Sequence, residues 1–233
     1  MSIIIPTLNE EKYLPRLLES IKSQDFKDWE IIVSDGGSLD RTKEIALTNN
    51  CVFIEDQEHQ HPSWQRNKGA ELAQGEILLF LDADTVLQKG FLTKAITEFK
   101  QRQLGGAGFY FSFYPNRWSY RLFSGLANIF ARVRQYFSPV SVGAALLSQR
   151  ELHEKIKGFD TRIKLAEDYD YCDRLAKQGK FRMIKSQRLL YSSRRIAKDG
   201  WWPTAYAWAR MAMFTMFNRK IKHDKIKYDF GKY

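Results

Sequence analysis

Long apolar runs are missing from this sequence. A membrane-spanning helix needs roughly 20 consecutive apolar residues; the longest candidate, Trp201 to Phe217, opens with Pro203 and is interrupted by Arg210. Cysteine is scarce: Cys51 and Cys172 match no metal spacing and no disulfide framework, so both read as small core residues in a reducing compartment. The few histidines, His59, His61, His153 and His223, stand at no recognisable ligand spacing and read as surface residues. No leader with an apolar core precedes the first strand, which predicts a cytoplasmic protein, free or resting on the inner face of the cell membrane. Internal repeats and low-complexity tracts are absent too, which excludes solenoids and arrays.

Acidic residues are in deficit. Asp and Glu number 27 against 37 Lys and Arg, a net charge of +10, and none occurs between Glu98 and Glu151. That balance favours anionic partners, whether phosphates, nucleic acid or an acidic membrane surface. No nucleic-acid reading motif interleaves with the basic residues, so nucleic acid is not expected as a partner. The rest is ordinary for a folded domain: 233 residues, 44% apolar and 27% charged, enough for one sizeable core.

Hydrophobic periodicity alternates in the first half. It predicts strands at residues 2–7, 30–34, 51–55 and 76–82, and helices at 10–23, from 40 onward, at 63–73 and at 89–101. Asp40 and Ser63 are candidate N-caps of the second and third helices. The 76–82 run is almost continuously apolar, as in a central strand covered on both faces. Short-linked alternation of this kind implies an α/β fold, a mostly parallel central sheet with helices on both faces and right-handed crossovers. Strand carboxyl ends then gather along one edge, where ligands bind in open sheets. In the second half, strands at 107–114 and 141–147 flank a helix at 116–137. Its Trp118, Leu122, Leu126, Ile129, Val133 and Phe137 form an apolar stripe. A short helix at 169–178, a strand or two within 181–192 and a final aromatic helix from Trp201 complete the chain.

Four groups of residues bear chemistry. Asp82 and Asp84 lie two apart after the apolar strand; on a strand such residues share a face, and close carboxylates repel unless a cation or proton lies between them. A hard divalent ion, Mg2+ or Mn2+, suits them; a solvated acidic turn is the plain alternative. Gln65-Arg66-Asn67-Lys68-Gly69-Ala70 offers cations near a helix start to phosphate or base oxygens, or is simply exposed helix. Glu167 and Asp168 stand at another helix start, where the dipole favours a carboxylate. There one of them could take a proton from an acceptor hydroxyl, or merely cap the helix. Arg194 and Arg195 follow the last strand, a pair suited to a departing diphosphate or to a solvent-facing loop.

In this order the groups resemble the large family-2 group of inverting glycosyltransferases with the GT-A fold, in particular its short bacterial members without a membrane span. The resemblance is carried by Ser2-Ile3-Ile4-Ile5-Pro6-Thr7-Leu8-Asn9-Glu10 and by Val33-Ser34-Asp35-Gly36-Gly37-Ser38-Leu39-Asp40-Arg41-Thr42. Arg66-Asn67-Lys68-Gly69-Ala70, Asp82-Ala83-Asp84, Gly158-Phe159-Asp160 and Glu167-Asp168 complete it. It implies a GT-A domain over residues 1–195, with 196–233 as a C-terminal helix and basic tail packed on the domain or a membrane surface. Thr7 and Asp35 would hold the nucleotide base with help from Arg66. Asp82 would meet the ribose or the metal, and Asp84 would be the main metal ligand. Asp168 would be the catalytic base, Glu167 would order the acceptor side, and Arg194 and Arg195 would take the diphosphate or acceptor. The family's usual pattern has a second acid where this chain has Gly36, which leaves Asp35 alone for the base. A histidine metal ligand, present in some GT-A enzymes, is not evident.

The implied reaction moves a sugar from a nucleotide diphosphate sugar to an acceptor hydroxyl by one in-line displacement, with Mn2+ or Mg2+ as cofactor. The acceptor is less legible. Its acid-free segment holds Lys100, Arg102, Arg117, Arg121, Arg132, Arg134 and Arg150 among aromatic residues. Later, Trp201, Trp202, Tyr206 and Trp208 lead toward Arg219, Lys220, Lys222, Lys225 and Lys227. Rings beside cations suit a bilayer interface, hence an anionic membrane surface and a lipid-linked acceptor of the cell envelope. Packing of both helices on the sheet, or a homo-oligomer interface, is the alternative. Two rival classes stay open: a nucleotidyltransferase, which would need a glycine-rich phosphate loop that Pro6-Thr7-Leu8-Asn9-Glu10 is not, and a basic nucleic-acid-binding module.

Overall fold

The computed structural model describes residues 1–141 and 143–216. Its elements in chain order are β1 (Ser2–Thr7), α1 (Leu14–Lys22), β2 (Glu30–Asp35), α2 (Thr42–Thr48), β3 (Val52–Glu55), α3 (Pro62–Leu72), β4 (Ile77–Leu81), β5 (Thr85–Val86) and α4 (Phe91–Gln101). They continue with β6 (Gly106–Tyr114), α5 (Trp118–Arg134), β7 (Ala145–Gln149), α6 (Arg150–Lys155), α7 (Glu167–Ala176), β8 (Phe181–Ser192), α8 (Arg194–Asp199) and α9 (Trp201–Met216). His223 and the basic run Arg219 to Lys227 lie outside the described residues.

Among the described residues eight strands make one sheet in the order β3-β2-β1-β4-β7-β6-β8-β5. The first four are parallel, as the strand–helix alternation requires. β7 then enters antiparallel between β4 and β6, β6 and β8 are parallel again, and β5 closes the edge antiparallel to β8. Period-two side-chain alternation covers both faces. Ile3, Ile5, Val33 and Leu81 enter a core shared with Leu14, Leu17 and Leu18 of α1 and Phe91 of α4. Ile4, Ile32 and Phe80 enter the opposite core with Tyr171, Cys172 and Leu175 of α7. Both cysteines are free and buried, as expected of core residues.

Three local expectations are corrected, and the direction of one helix is decided. α3 begins one residue early, at Pro62, and its cap is His61, whose Nδ1 accepts from the Ser63 backbone, so Ser63 is not the cap. His153 is buried, not exposed: its Nδ1 lies 2.7 Å from the Tyr171 hydroxyl and its ring packs on Phe80. The 141–147 strand is displaced to Ala145–Gln149. The apolar stripe of α5 points outward: Trp118, Leu122, Leu126, Ile129, Val133 and Phe137 are 56–83% exposed.

The face of α5 turned inward carries Tyr120, Ser124, Asn128 and Ala131 instead. Asn128 explains why a polar residue is there. It accepts from the Phe111 backbone N–H at 3.1 Å and donates to the Phe111 carbonyl at 2.9 Å. β7 pairs with β6 only along Gly106 to Gly108, so the side-chain amide satisfies a strand segment beyond β7's reach. α9 packs beside α5, with Trp201 and Trp208 each 5.1 Å from the Phe123 ring. Among the described residues no helix is long and apolar enough to cross a membrane.

Candidate active site

The carboxyl ends of β1 and β4 meet the start of α7 and the turn between β8 and α8. A cavity opens there, lined by Thr7, Arg66, Asp82, Asp84, Glu167, Asp168, Arg194 and Arg195. Residues from both ends of the chain thus share one wall. Asp35 does not join them.

Asp35 lies behind Thr7. Its Oδ1 accepts from the Thr7 and Ser38 hydroxyls, each at 2.6 Å, and its Oδ2 accepts from the backbone of Gly37 at 2.9 Å and Ser38 at 2.6 Å. The carboxylate is therefore spent on its own turn, and it holds Thr7 toward the cavity. The position that lacks the second acid is crowded. A side chain at Gly36 would collide with the amide of Gln65 and come 3.3 Å from the Gln60 Cα, and both glutamines line the cavity.

Arg66 is a bridge. α3 buries Ser63, Gln65 and Arg66, and the last two line the cavity. Arg66 Nη1 donates to Glu167 Oε1 and Nη2 to Asp82 Oδ1, both at 2.9 Å, while the guanidinium lies 5.3 Å from the centre of the Phe159 ring. With 4% of its side chain exposed, Arg66 ties the two halves of the site together through charge-assisted bonds.

Asp82 and Asp84 converge by a turn, not by the strand pleat expected. β4 ends at Leu81, and the Thr85 backbone and hydroxyl both donate to the Asp82 carbonyl, at 3.2 and 2.8 Å. Asp84 is 2% exposed; Arg194 Nε lies 2.8 Å from its Oδ2, and its Oδ1 is buried without a hydrogen-bond partner. Burial pushes the Asp84 carboxyl up to about 7 against the pull of Arg194, with Asp82 and Glu10 adding to the rise. A buried carboxylate oxygen without a donor, beside a second carboxylate, fits a hard divalent cation. Among the described residues no group of three or more His, Cys, Asp or Glu makes a full cage. Substrate phosphates would have to complete the coordination, as they commonly do for Mg2+.

Opposite stands the first turn of α7. Ala166 precedes it in the left-handed conformation, φ 64°, which a non-glycine residue adopts at a cost of about 1–3 kcal/mol. That turn aims Glu167 and Asp168 at the cavity. Burial and then the Glu167 charge push Asp168 up to about 8, while Arg66 pulls it down.

Arg194 and Arg195 open α8 and do not sit in a loop. Arg194 forks onto Glu10, Nη1 to Oε2 at 2.7 Å and Nη2 to Oε1 at 2.8 Å, and Arg195 pairs with Asp199 at 3.7 Å. The sequence pattern does not mark Glu10 and Gly143 as site residues. Glu10 sits inside a recognisable motif, but its partner is 184 positions away; Gly143 carries no charge pattern to mark it.

A family model described as Glycosyl transferase family 2 matches residues 2–157. Over 99 residues the chain is 38% identical to the GalNAc(5)-diNAcBac-PP-undecaprenol beta-1,3-glucosyltransferase of Campylobacter jejuni, a match covering 40% of this chain and 32% of that protein. The chain therefore spans about a third of that relative's length. The mannosyltransferase PcManGT from Pyrobaculum calidifontis, solved with GDP-Man and Mn2+, superposes with a TM-score of 0.69 at 21% identity, over 81% of this chain and 55% of the other. S. aureus TarS 1-349, solved with UDP-GlcNAc, gives a TM-score of 0.66 at 21% identity, over 82% and 58%. The likeness to these structures is one of fold, the GT-A arrangement.

Proposed function

The chain belongs to glycosyl transferase family 2, and on that premise we propose that it transfers a sugar from a nucleotide diphosphate sugar to an acceptor hydroxyl, inverting the anomeric carbon. The observation that carries this reading is the convergence of Asp82, Asp84 and Asp168 on one cavity. The acceptor oxygen attacks the anomeric carbon from the face opposite the diphosphate. Its proton passes to Asp168, and the electron pair of the breaking carbon–oxygen bond leaves with the diphosphate. Asp84 and Asp82 would hold Mn2+ or Mg2+, which when bound offsets charge on the departing diphosphate. Arg194, in contact with Asp84, and Arg195 act on the same charge. Thr7 meets the nucleotide, braced by Asp35, and Arg66 keeps Asp82 and Glu167 in register. The neighbours' GDP-Man and UDP-GlcNAc support a nucleotide-sugar donor in general.

A thermal-shift screen of UDP, GDP and other nucleoside diphosphates, with and without Mn2+, tests the reading. A ligand at 100 times its dissociation constant adds about 2.7 kcal/mol. No Mn2+-dependent shift with any diphosphate would remove it.

The acceptor is lipid-linked and is reached from an anionic membrane surface on the cytoplasmic side. The outward stripe of α5 supports this, flanked by the exposed Arg117, Arg121 and Arg132. Exposed Trp202 and Tyr206 of the adjacent α9 extend it. Apolar rings beside cations suit a bilayer interface, where each basic residue adds about 1 kcal/mol near an anionic leaflet. The undecaprenol-linked substrate in the Campylobacter relative's name points the same way. Flotation with anionic vesicles is expected to carry the protein upward, and to do so less at high salt. A protein that stays at the bottom but doubles in mass by light scattering would instead assign the stripe to a homodimer.

A further inference from the structure

Glu10 is a buried carboxylate to which the proposed chemistry gives no task. It takes both terminal nitrogens of Arg194, at 2.7 and 2.8 Å, while Arg194 Nε reaches Asp84 Oδ2 at 2.8 Å. The Tyr13 ring covers the guanidinium at 4.6 Å, and 14% of the side chain is exposed. One fixed cation thus serves two buried acids, and one of them is the carboxylate with a bare oxygen.

We propose that Arg194 is a resident counter-ion of the cation site, that Glu10 is the positioning residue holding it there, and that this pair makes metal and diphosphate bind together. The inference rests on Asp84 as a metal ligand. A divalent ion arriving alone meets a standing positive charge and a carboxylate already half engaged. A diphosphate arriving with it supplies anionic oxygens to both cations, so the repulsion is relieved only in the ternary complex. Coupling of this sort is reciprocal: the metal strengthens diphosphate binding by the factor by which diphosphate strengthens metal binding. An enzyme built this way would not load its site with free metal.

Mn2+ binding followed by electron paramagnetic resonance, alone and with saturating UDP or GDP, reads the coupling without turnover. The native protein is expected to bind Mn2+ roughly tenfold or more tightly when the diphosphate is present, within the usual range for coupled sites. Arg194→Met should bind Mn2+ alone more tightly than the native protein and lose most of that enhancement. Should removal of Arg194 leave Glu10 too exposed to charge for the chain to fold, the Arg194→Met/Glu10→Gln pair, which removes both charges, serves for the same reading. Unchanged or weaker Mn2+ binding by the folded variant overturns the counter-ion role.

Glu10→Gln separates positioning from plain charge. Loss of a nearby negative charge would by itself tighten diphosphate binding. Positioning through Arg194 predicts the opposite, a weakening of roughly tenfold that adds nothing once Arg194 is already Met. Tighter binding by Glu10→Gln overturns the positioning role. Asp84→Asn guards the premise: if it holds Mn2+ as the native protein does, the metal site itself is misplaced, whatever the behaviour of Arg194.

Discussion

Gly143 lies directly against Asp168: a Cβ built on Gly143 would stand 2.9 Å from the Asp168 Oδ2 and 3.2 Å from its Cβ. The proposed base therefore rests on bare backbone, and any side chain at 143 must push it aside. Gly143→Ala is expected to lower kcat by up to about 10²-fold, the scale of a misplacement near 1 Å. Diphosphate affinity in Mn2+, measured by calorimetry, should stay near native. Loss of both together would mean that Gly143 shapes the donor site instead.

Asp168 should give activity a rising pH dependence. Its carboxyl is pushed up to about 8 by burial and the Glu167 charge, and only the ionised form accepts a proton. Turnover of the native enzyme is expected to climb as pH passes through that region. Asp168→Asn should lose about 10²–10⁴-fold in kcat. Stability runs the other way. A folded-state value above the unfolded one means that the folded chain binds the extra proton, so stability falls as pH rises from about 4 toward 8. The asparagine variant should flatten that fall in urea melts taken at several pH values.

His153 supplies the opposite slope. Burial and then the charge of Arg174 push its imidazole down to about 4, so the unfolded chain binds the proton first as pH falls. Its contribution is whole at neutral pH and is lost between about 6.5 and 4. His153→Gln is expected to lose less stability than the native protein between pH 7 and 5, measured as the difference between paired urea melts. Parallel curves would show that the ring is not kept neutral by its pocket.

Much of the architecture was legible because the first half obeys simple periods. The near-continuous apolar run of β4 marks a strand covered on both sides, and the acids after it mark the edge where the cavity opens. Local alternation places β7 too early because its antiparallel register against β4 is set by a distant strand. His61 does not read as a cap, since a ring nitrogen there does the work of a hydroxyl. The Glu10–Arg194 pair was invisible for a different reason: no spacing rule links positions 184 apart. The α5 stripe was visible, but its direction was not. A helix shows the same pattern whether its apolar side meets a sheet or faces away from it, and the inward Tyr120, Ser124 and Asn128 decide for the latter.

That stripe can be tested without touching the site. Leu126 and Ile129 are 60% and 61% exposed, so Leu126→Glu/Ile129→Glu should change stability by no more than about 0.5 kcal/mol. Vesicle flotation is expected to disappear, while binding of diphosphate and Mn2+ is kept. Retained flotation would move membrane contact elsewhere on the surface.

β5 is only two residues long, yet it joins Thr85 to Tyr191 and Val86 to Leu190, and the Ser192 N–H donates to the Asp84 carbonyl at 3.2 Å. The backbone that bears Asp84 is in this way stapled to the backbone that leads into Arg194. A displacement of either segment would therefore carry the aspartate and the arginine together.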